Sequence, residues 1–164
     1  MNETSYNILF LCTGNSARSI MAEALLNHHG GRRFKGYSAG STPVGKVNPF
    51  AIEMIERLDV TPESFRSKSW EEFERDNAPP MDIIITVCDN AAGESCPVWP
   101  GHPVTAHWSF PDPAAATGSD EEKREAFRRV FREIRQRIEL LVQLPIGKLD
   151  QLALREELDQ LAPR

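Results

Sequence analysis

The feature that most constrains this chain is the stretch at residues 9–21, LFLCTGNSARSIM. The residues up to Cys12 form a continuous apolar run, which is typical of a strand buried on both faces of a parallel sheet. A short polar loop follows, and from Arg18 onward apolar residues recur at the spacing of an amphipathic helix. A strand, a loop and a helix in this order form the unit from which parallel α/β sheets are built. The stretch therefore predicts an α/β fold.

The rest of the chain repeats this alternation of strands and helices. Further strands are predicted at residues 34–39, 81–88 and 104–107. Helices are predicted at residues 17–28, from 49 to about 58, at 70–75, from 120 to about 144 and at 149–161. Ligand sites in parallel α/β sheets lie beyond the carboxyl ends of the strands, where Cys12, Cys88 and the segment after His107 meet.

Composition and charge narrow the possible functions. A chain of 164 residues has the size of one ordinary domain and needs neither disulfides nor a structural metal to fold. Its net charge of −5 argues against a nucleic-acid surface, and no apolar run is long enough to cross a bilayer, so we expect a cytoplasmic protein without nucleic-acid or membrane partners. Three cysteines without a secretion signal favour catalytic, redox or metal roles over structural disulfides.

The loop after Cys12 has the character of an oxyanion-binding site. Successive backbone N–H groups between a strand and a helix point into one concavity, and the helix dipole adds partial positive charge there. The Arg18 guanidinium can hold two oxygens of a phosphate-like group while Cys12 attacks its centre. The predicted oxyanion-binding residues are Thr13, Gly14, Asn15, Ser16, Ala17 and Arg18.

The same loop is expected to activate the thiol. Backbone amides, the helix N-terminus and Arg18 all stabilise a thiolate, so we expect the pKa of Cys12 to fall below neutrality. Ser19 is placed to hydrogen-bond the sulfur. Gly14 and Asn15 are expected to adopt left-handed backbone angles that direct the amides inward.

The sequence CTGNSARS resembles the signature loop of the low-molecular-weight protein tyrosine phosphatases, and resembles even more the arsenate reductases that share their fold. The similarity extends, in family order, through YSAGS, VNPFAIEMI, RSKSW, TVCDNAAGESCPVWPG and HWSFPDPA. It implies a Rossmann-like three-layer α/β/α domain with a four-stranded parallel sheet over residues 1–145. Residues 146–164 would then form a C-terminal helical tail that packs on the domain or on a partner.

The resemblance assigns the general acid to Asp112, which lies between two prolines that stiffen its loop. Relatives that are phosphatases carry aromatic residues near this acid to hold a phosphotyrosine ring. Here residues 114–117 are AAAT, which favours a small inorganic oxyanion. The expected substrate is arsenate, with phosphate or sulfate as mimics.

Two further cysteines distinguish a reductase from a phosphatase. After Cys12 binds arsenate, attack by Cys88 on Cys12 would release arsenite, and Cys96 would then attack Cys88 to leave a Cys88–Cys96 disulfide. The resemblance implies thioredoxin or glutathione/glutaredoxin as the reductant and no other cofactor. An alternative is a zinc site formed by Cys88, Cys96 and His102, although no tight Cys-x-x-Cys spacing supports it.

Some relatives bind potassium near the loop, and Asn15, Glu23 and Ser38 match three of the four ligands. Lys68 stands in the position of the fourth ligand, an acid, so its ammonium group can take the place of the cation. We therefore expect no bound metal and no potassium dependence. The predicted catalytic residues are Cys12, Arg18, Ser19, Asp112, Cys88 and Cys96. The alternatives are a tyrosine phosphatase and a non-catalytic sensor of oxyanions or arsenite.

Overall fold

The computed structural model describes residues 5–88 and 102–163. Four strands form one parallel sheet in the order β2-β1-β3-β4, which confirms the predicted four-stranded α/β fold. The strands are β1 (Tyr6–Cys12), β2 (Phe34–Gly40), β3 (Ile83–Thr86) and β4 (Val104–His107). Because every strand is parallel to its neighbours, all four carboxyl ends lie at one edge of the sheet.

Four α-helices accompany the sheet among the described residues. They are α1 (Arg18–His29), α2 (Pro49–Ile55), α3 (Asp120–Leu141) and α4 (Gln151–Leu161). Asn48, Ser119 and Asp150 cap the starts of the last three by accepting backbone N–H hydrogen bonds. Four short 3₁₀ helices cover Pro62–Ser64, Trp70–Phe73, Pro113–Ala115 and Ile146–Lys148.

Several predicted boundaries were too wide. The strand predicted at residues 81–88 is reduced to Ile83–Thr86, since only these residues pair with both neighbouring strands. The helix predicted to reach about Leu58 ends at Ile55, and the one predicted to reach Leu144 ends at Leu141; both continue as turns. The segment predicted as a helix at residues 70–75 is a single 3₁₀ turn that begins after the Ser69 cap.

The two faces of the sheet are covered unequally. Alternate residues of β1, such as Ile8 and Phe10, join the large core formed with all four α-helices, while Leu9 and Leu11 join a smaller cluster with Phe73 and its neighbours. The side chains of Leu154 and Leu158 place α4 in the large core, where the helix contacts β4. No helix among the described residues is both long and apolar enough to span a membrane.

Candidate active site

The Cys12 sulfur lies at the carboxyl end of β1, where donors from Asn15 and Ser19 surround it. The Asn15 backbone N–H donates to Sγ at 3.2 Å, and the Ser19 hydroxyl lies 2.8 Å from it. The predicted hydrogen bond between Ser19 and the sulfur is therefore present. Ala17, which precedes α1, provides no side-chain cap, so the first turn of the helix keeps backbone N–H groups for an anion.

Asn15 organises the loop through both its backbone and its side chain. It adopts the left-handed conformation with φ of 46°, as predicted, and is fully buried. Gly14 does not have a positive φ, so that prediction was wrong; the one left-handed residue sufficed to turn the loop. The side-chain oxygen Oδ1 of Asn15 accepts the Lys68 backbone N–H at 2.8 Å. The side-chain NH₂ group of Asn15 donates to the Ser19 hydroxyl at 2.8 Å.

This chain of hydrogen bonds fixes the direction in which Ser19 acts. A backbone N–H can only donate, so the Lys68 contact places the Asn15 oxygen toward Lys68 and the NH₂ toward Ser19. Ser19 accepts from Asn15 and keeps its own proton for Cys12. The hydroxyl is thus directed to stabilise a thiolate.

The prediction that the pKa of Cys12 falls was wrong, because the net shift of this pKa is upward. Burial of Cys12, which is 4% exposed, raises the pKa of its thiol because the charged thiolate loses water. The hydrogen bond from the Ser19 side chain opposes this increase, whereas the charge of Cys88 adds to it; the backbone N–H groups of Ser19 and Asn15 also lower the pKa. The sequence pattern showed the donors but not the depth of burial.

Arg18, the first residue of α1, faces the segment of residues 108–116, which we call the acid loop. Its guanidinium donates to the Phe110 carbonyl at 2.9 Å and lies 3.9 Å from the Asp112 carboxylate. The other oxygen of Asp112 accepts the Ala114 N–H at 3.0 Å and caps the 3₁₀ turn at Pro113. The structure therefore brings the predicted oxyanion clamp and the predicted acid together across the site.

Cys88 follows β3 at the same edge of the sheet and, like Cys12, is a buried free thiol. Its sulfur lies 3.8 Å from the hydroxyl of Thr13, in the loop of residues 12–18 that we call the catalytic loop. A negative charge on Cys88 raises the pKa of Cys12. Cys96 lies outside the described residues.

The predicted cation position holds the Lys68 ammonium group, which is 2.9 Å from the Arg66 carbonyl and 3.4 Å from the Ser38 hydroxyl. The Glu23 carboxylate accepts from Ser38 and lies 3.8 Å from the ammonium. Burial lowers the pKa of Lys68 and raises that of Glu23, and the charge of each opposes the shift of the other.

Three contributors were not predicted from the sequence. The Lys68 backbone N–H orients Asn15, and the Phe110 carbonyl holds Arg18. Gly40 pairs with Cys12 across the sheet, where an added Cβ would lie 2.4 Å from the Thr13 carbonyl oxygen. The glycine in YSAGS was the available signal, because a glycine at a strand end often marks a close backbone approach.

Comparison with known proteins agrees with this geometry. Residues 7–155 match the family model described as low molecular weight phosphotyrosine protein phosphatase. The arsenate reductase of Halalkalibacterium halodurans is 39% identical over 131 residues, which are 80% of this chain and 91% of that protein.

Two solved structures extend the likeness. The arsenate reductase of Archaeoglobus fulgidus has a TM-score of 0.64 and 29% identity, with 84% of this chain and 99% of that chain covered. The thioredoxin-dependent arsenate reductase of Corynebacterium glutamicum has a TM-score of 0.53 and 25% identity, with 86% of this chain and 65% of that chain covered. The chain therefore belongs to the low molecular weight phosphotyrosine protein phosphatase family and, within it, to the arsenate reductases.

Proposed function

We propose that this chain reduces arsenate to arsenite through a relay of its three cysteines. The observation that carries the proposal is the second buried free thiol, Cys88, whose sulfur lies 3.8 Å from the Thr13 hydroxyl of the catalytic loop. A phosphatase needs only one nucleophilic thiol, whereas a reductase must supply two electrons. The relatives named arsenate reductase support the same reaction.

The first step is the attack of the Cys12 thiolate on arsenic. Arg18 and the backbone N–H groups of the loop hold the arsenate oxygens and stabilise the charge that develops on them. One arsenic–oxygen bond breaks as the sulfur–arsenic bond forms, and the Asp112 carboxyl protonates the departing oxygen, which leaves as water. The product is an arsenic(V) group bound to Cys12.

The second step transfers electrons. The Cys88 thiolate attacks the Cys12 sulfur, a sulfur–sulfur bond forms and the sulfur–arsenic bond breaks. The electron pair of the broken bond stays on arsenic, which leaves as arsenite, and the two thiols are oxidised to a disulfide. Burial of both sulfurs at one edge of the sheet favours this intramolecular attack.

The third step moves the oxidation away from the site. Cys96 attacks the Cys88 sulfur, which frees the Cys12 thiolate and leaves a Cys88–Cys96 disulfide. A dithiol reductant then restores both thiols. Thioredoxin is the reductant we favour, because the Corynebacterium glutamicum relative is thioredoxin-dependent; a glutathione and glutaredoxin couple is the alternative.

The test is arsenite production by the wild-type protein and by Cys12→Ser, Cys88→Ser and Cys96→Ser, each with thioredoxin and with glutathione plus glutaredoxin. We expect the first two variants to lose turnover with either reductant, and Cys96→Ser to lose it with thioredoxin. Hydrolysis of p-nitrophenyl phosphate serves as the control, because Cys88→Ser should retain it through an intact Cys12 loop. Full arsenite turnover by Cys88→Ser would rule out the relay.

A further inference from the structure

The C-terminal helix α4 is bonded to the base of the acid loop. Trp108 is fully buried, and its indole N–H donates to the Leu158 carbonyl at 2.9 Å. The last carbonyls of a helix lack partners within the helix, so this bond satisfies one of them. Leu158 lies beyond residue 155, where the match to the family model ends.

The acid loop transmits this contact toward the catalytic residues. The Trp108 backbone N–H donates to the Thr86 carbonyl at 2.7 Å, which fixes the loop at the end of β3. Two residues later the Phe110 carbonyl accepts from Arg18, and two residues after that Asp112 lies beside the same guanidinium. The hydrogen bond of Asp112 to the Ala114 N–H lies within the acid loop, so it holds the carboxylate to the loop but does not place the loop relative to Cys12. Its position therefore depends on the base of the loop.

We propose that α4 is a positioning element for the acid loop and that Trp108 is the positioning residue through which it acts. The bond to the Leu158 carbonyl fixes the rotation of the indole, and the fixed indole fixes the start of the loop that carries Asp112. Trp108 touches no substrate in this account. The inference rests on the proposed function, because it takes Asp112 as the acid.

The test is a double-mutant cycle on kcat/KM for arsenate with Trp108→Phe and Asp112→Asn. In the wild-type background Trp108→Phe should lower kcat/KM about fivefold, the factor that one lost hydrogen bond supplies. In the Asp112→Asn background the same change should lower it less than twofold, because the acid that it positions is gone. Trp70→Phe, which alters a tryptophan on the other face of the sheet, is the matched control and should leave kcat/KM unchanged.

The outcomes separate positioning from general destabilisation. An equal factor in both backgrounds, or no loss in the wild-type background, overturns the inference. Full activity of Asp112→Asn would instead show that Asp112 is not the general acid of the proposed function, whatever the effect of Trp108→Phe. If Trp108→Phe does not fold, the benzothiophene analogue of tryptophan at position 108 keeps the volume, removes only the N–H and completes the same cycle.

Discussion

The catalytic loop and the acid loop face each other across one site but are stabilised in different ways. The hydrogen bonds on the Cys12 sulfur come from residues three and seven positions away, and its partners Asn15 and Ser19 are fully buried. The acid loop is held by partners 50 and 92 residues away, and the Asp112 side chain is 46% exposed. Changes in the buried loop should therefore affect both folding and activity, whereas a change of the exposed acid should affect activity alone.

The largest separation of the two properties is expected for Asp112→Asn. Loss of a general acid lowers kcat/KM for arsenate by about 100-fold or more. The melting temperature should stay almost unchanged, because asparagine still caps the turn at Pro113 and the half-exposed ion pair with Arg18, at 3.9 Å, contributes little. Steady-state kinetics measure kcat/KM and thermal unfolding measures the melting temperature, with the exposed Asp76→Asn as control. A large fall in stability would contradict the expectation that a change of this exposed acid affects activity alone.

The buried loop should respond differently to Asn15→Ala. Alanine leaves the Lys68 N–H and Ser19 without their partner and disfavours the positive φ, so the free energy of unfolding should fall by about 2–4 kcal/mol. We expect kcat/KM to fall roughly 30-fold, because Ser19 is no longer oriented toward the sulfur and the strained backbone at position 15 also displaces the N–H that donates to it. Denaturant unfolding and arsenate kinetics test this. Asn15→Gly accepts the backbone angle and isolates the side-chain effect; equal stability of alanine and wild type would refute the prediction.

A smaller effect is expected for Ser19→Ala, and it should depend on pH. Burial already raises the pKa of Cys12, and removal of the Ser19 hydrogen bond that opposes burial raises it further. Activity requires the thiolate, so it increases as pH rises toward this pKa. In Ser19→Ala the increase should occur at higher pH, with about tenfold lower kcat/KM at neutral pH. A pH–rate profile with the exposed Ser64→Ala as control measures the displacement; an unchanged profile would exclude the role of Ser19.

The smallest effect is expected for potassium. The Lys68 ammonium group already lies among the oxygens of Ser38, Arg66 and Glu23, so a second cation has no vacant position there. Replacing sodium by potassium at constant ionic strength should change wild-type kcat/KM by less than about twofold, since only general screening remains. Lys68→Ala frees the oxygens and is the matched variant. A severalfold stimulation of the wild-type protein by potassium alone would disprove the prediction.

The features that the sequence predicted most accurately are those whose signals come from neighbouring residues. The strand before Cys12, the turn at Asn15 and the helix from Arg18 could be read because their signals lie within a few residues of each other. The strand–helix alternation likewise predicted the parallel sheet, since parallel strands require crossover connections.

Individual long-range hydrogen bonds and the effect of burial on single groups could not be predicted. No pattern near Trp108 indicates that its indole meets the carbonyl of Leu158, 50 residues away. The pKa of Cys12 was predicted in the wrong direction because the nearby donors are visible in the sequence, whereas the loss of water around the sulfur depends on the packed fold.

The most direct test of the cysteine relay is a single turnover of Cys96→Ser with arsenate and no external reductant. We expect about one arsenite released per chain and a disulfide between Cys12 and Cys88, identified by peptide mass mapping, because the reaction stops before the oxidation leaves the site. The double variant Cys88→Ser with Cys96→Ser should release none. Arsenite release by the double variant, or by Cys96→Ser without the Cys12–Cys88 disulfide, would contradict the cysteine relay.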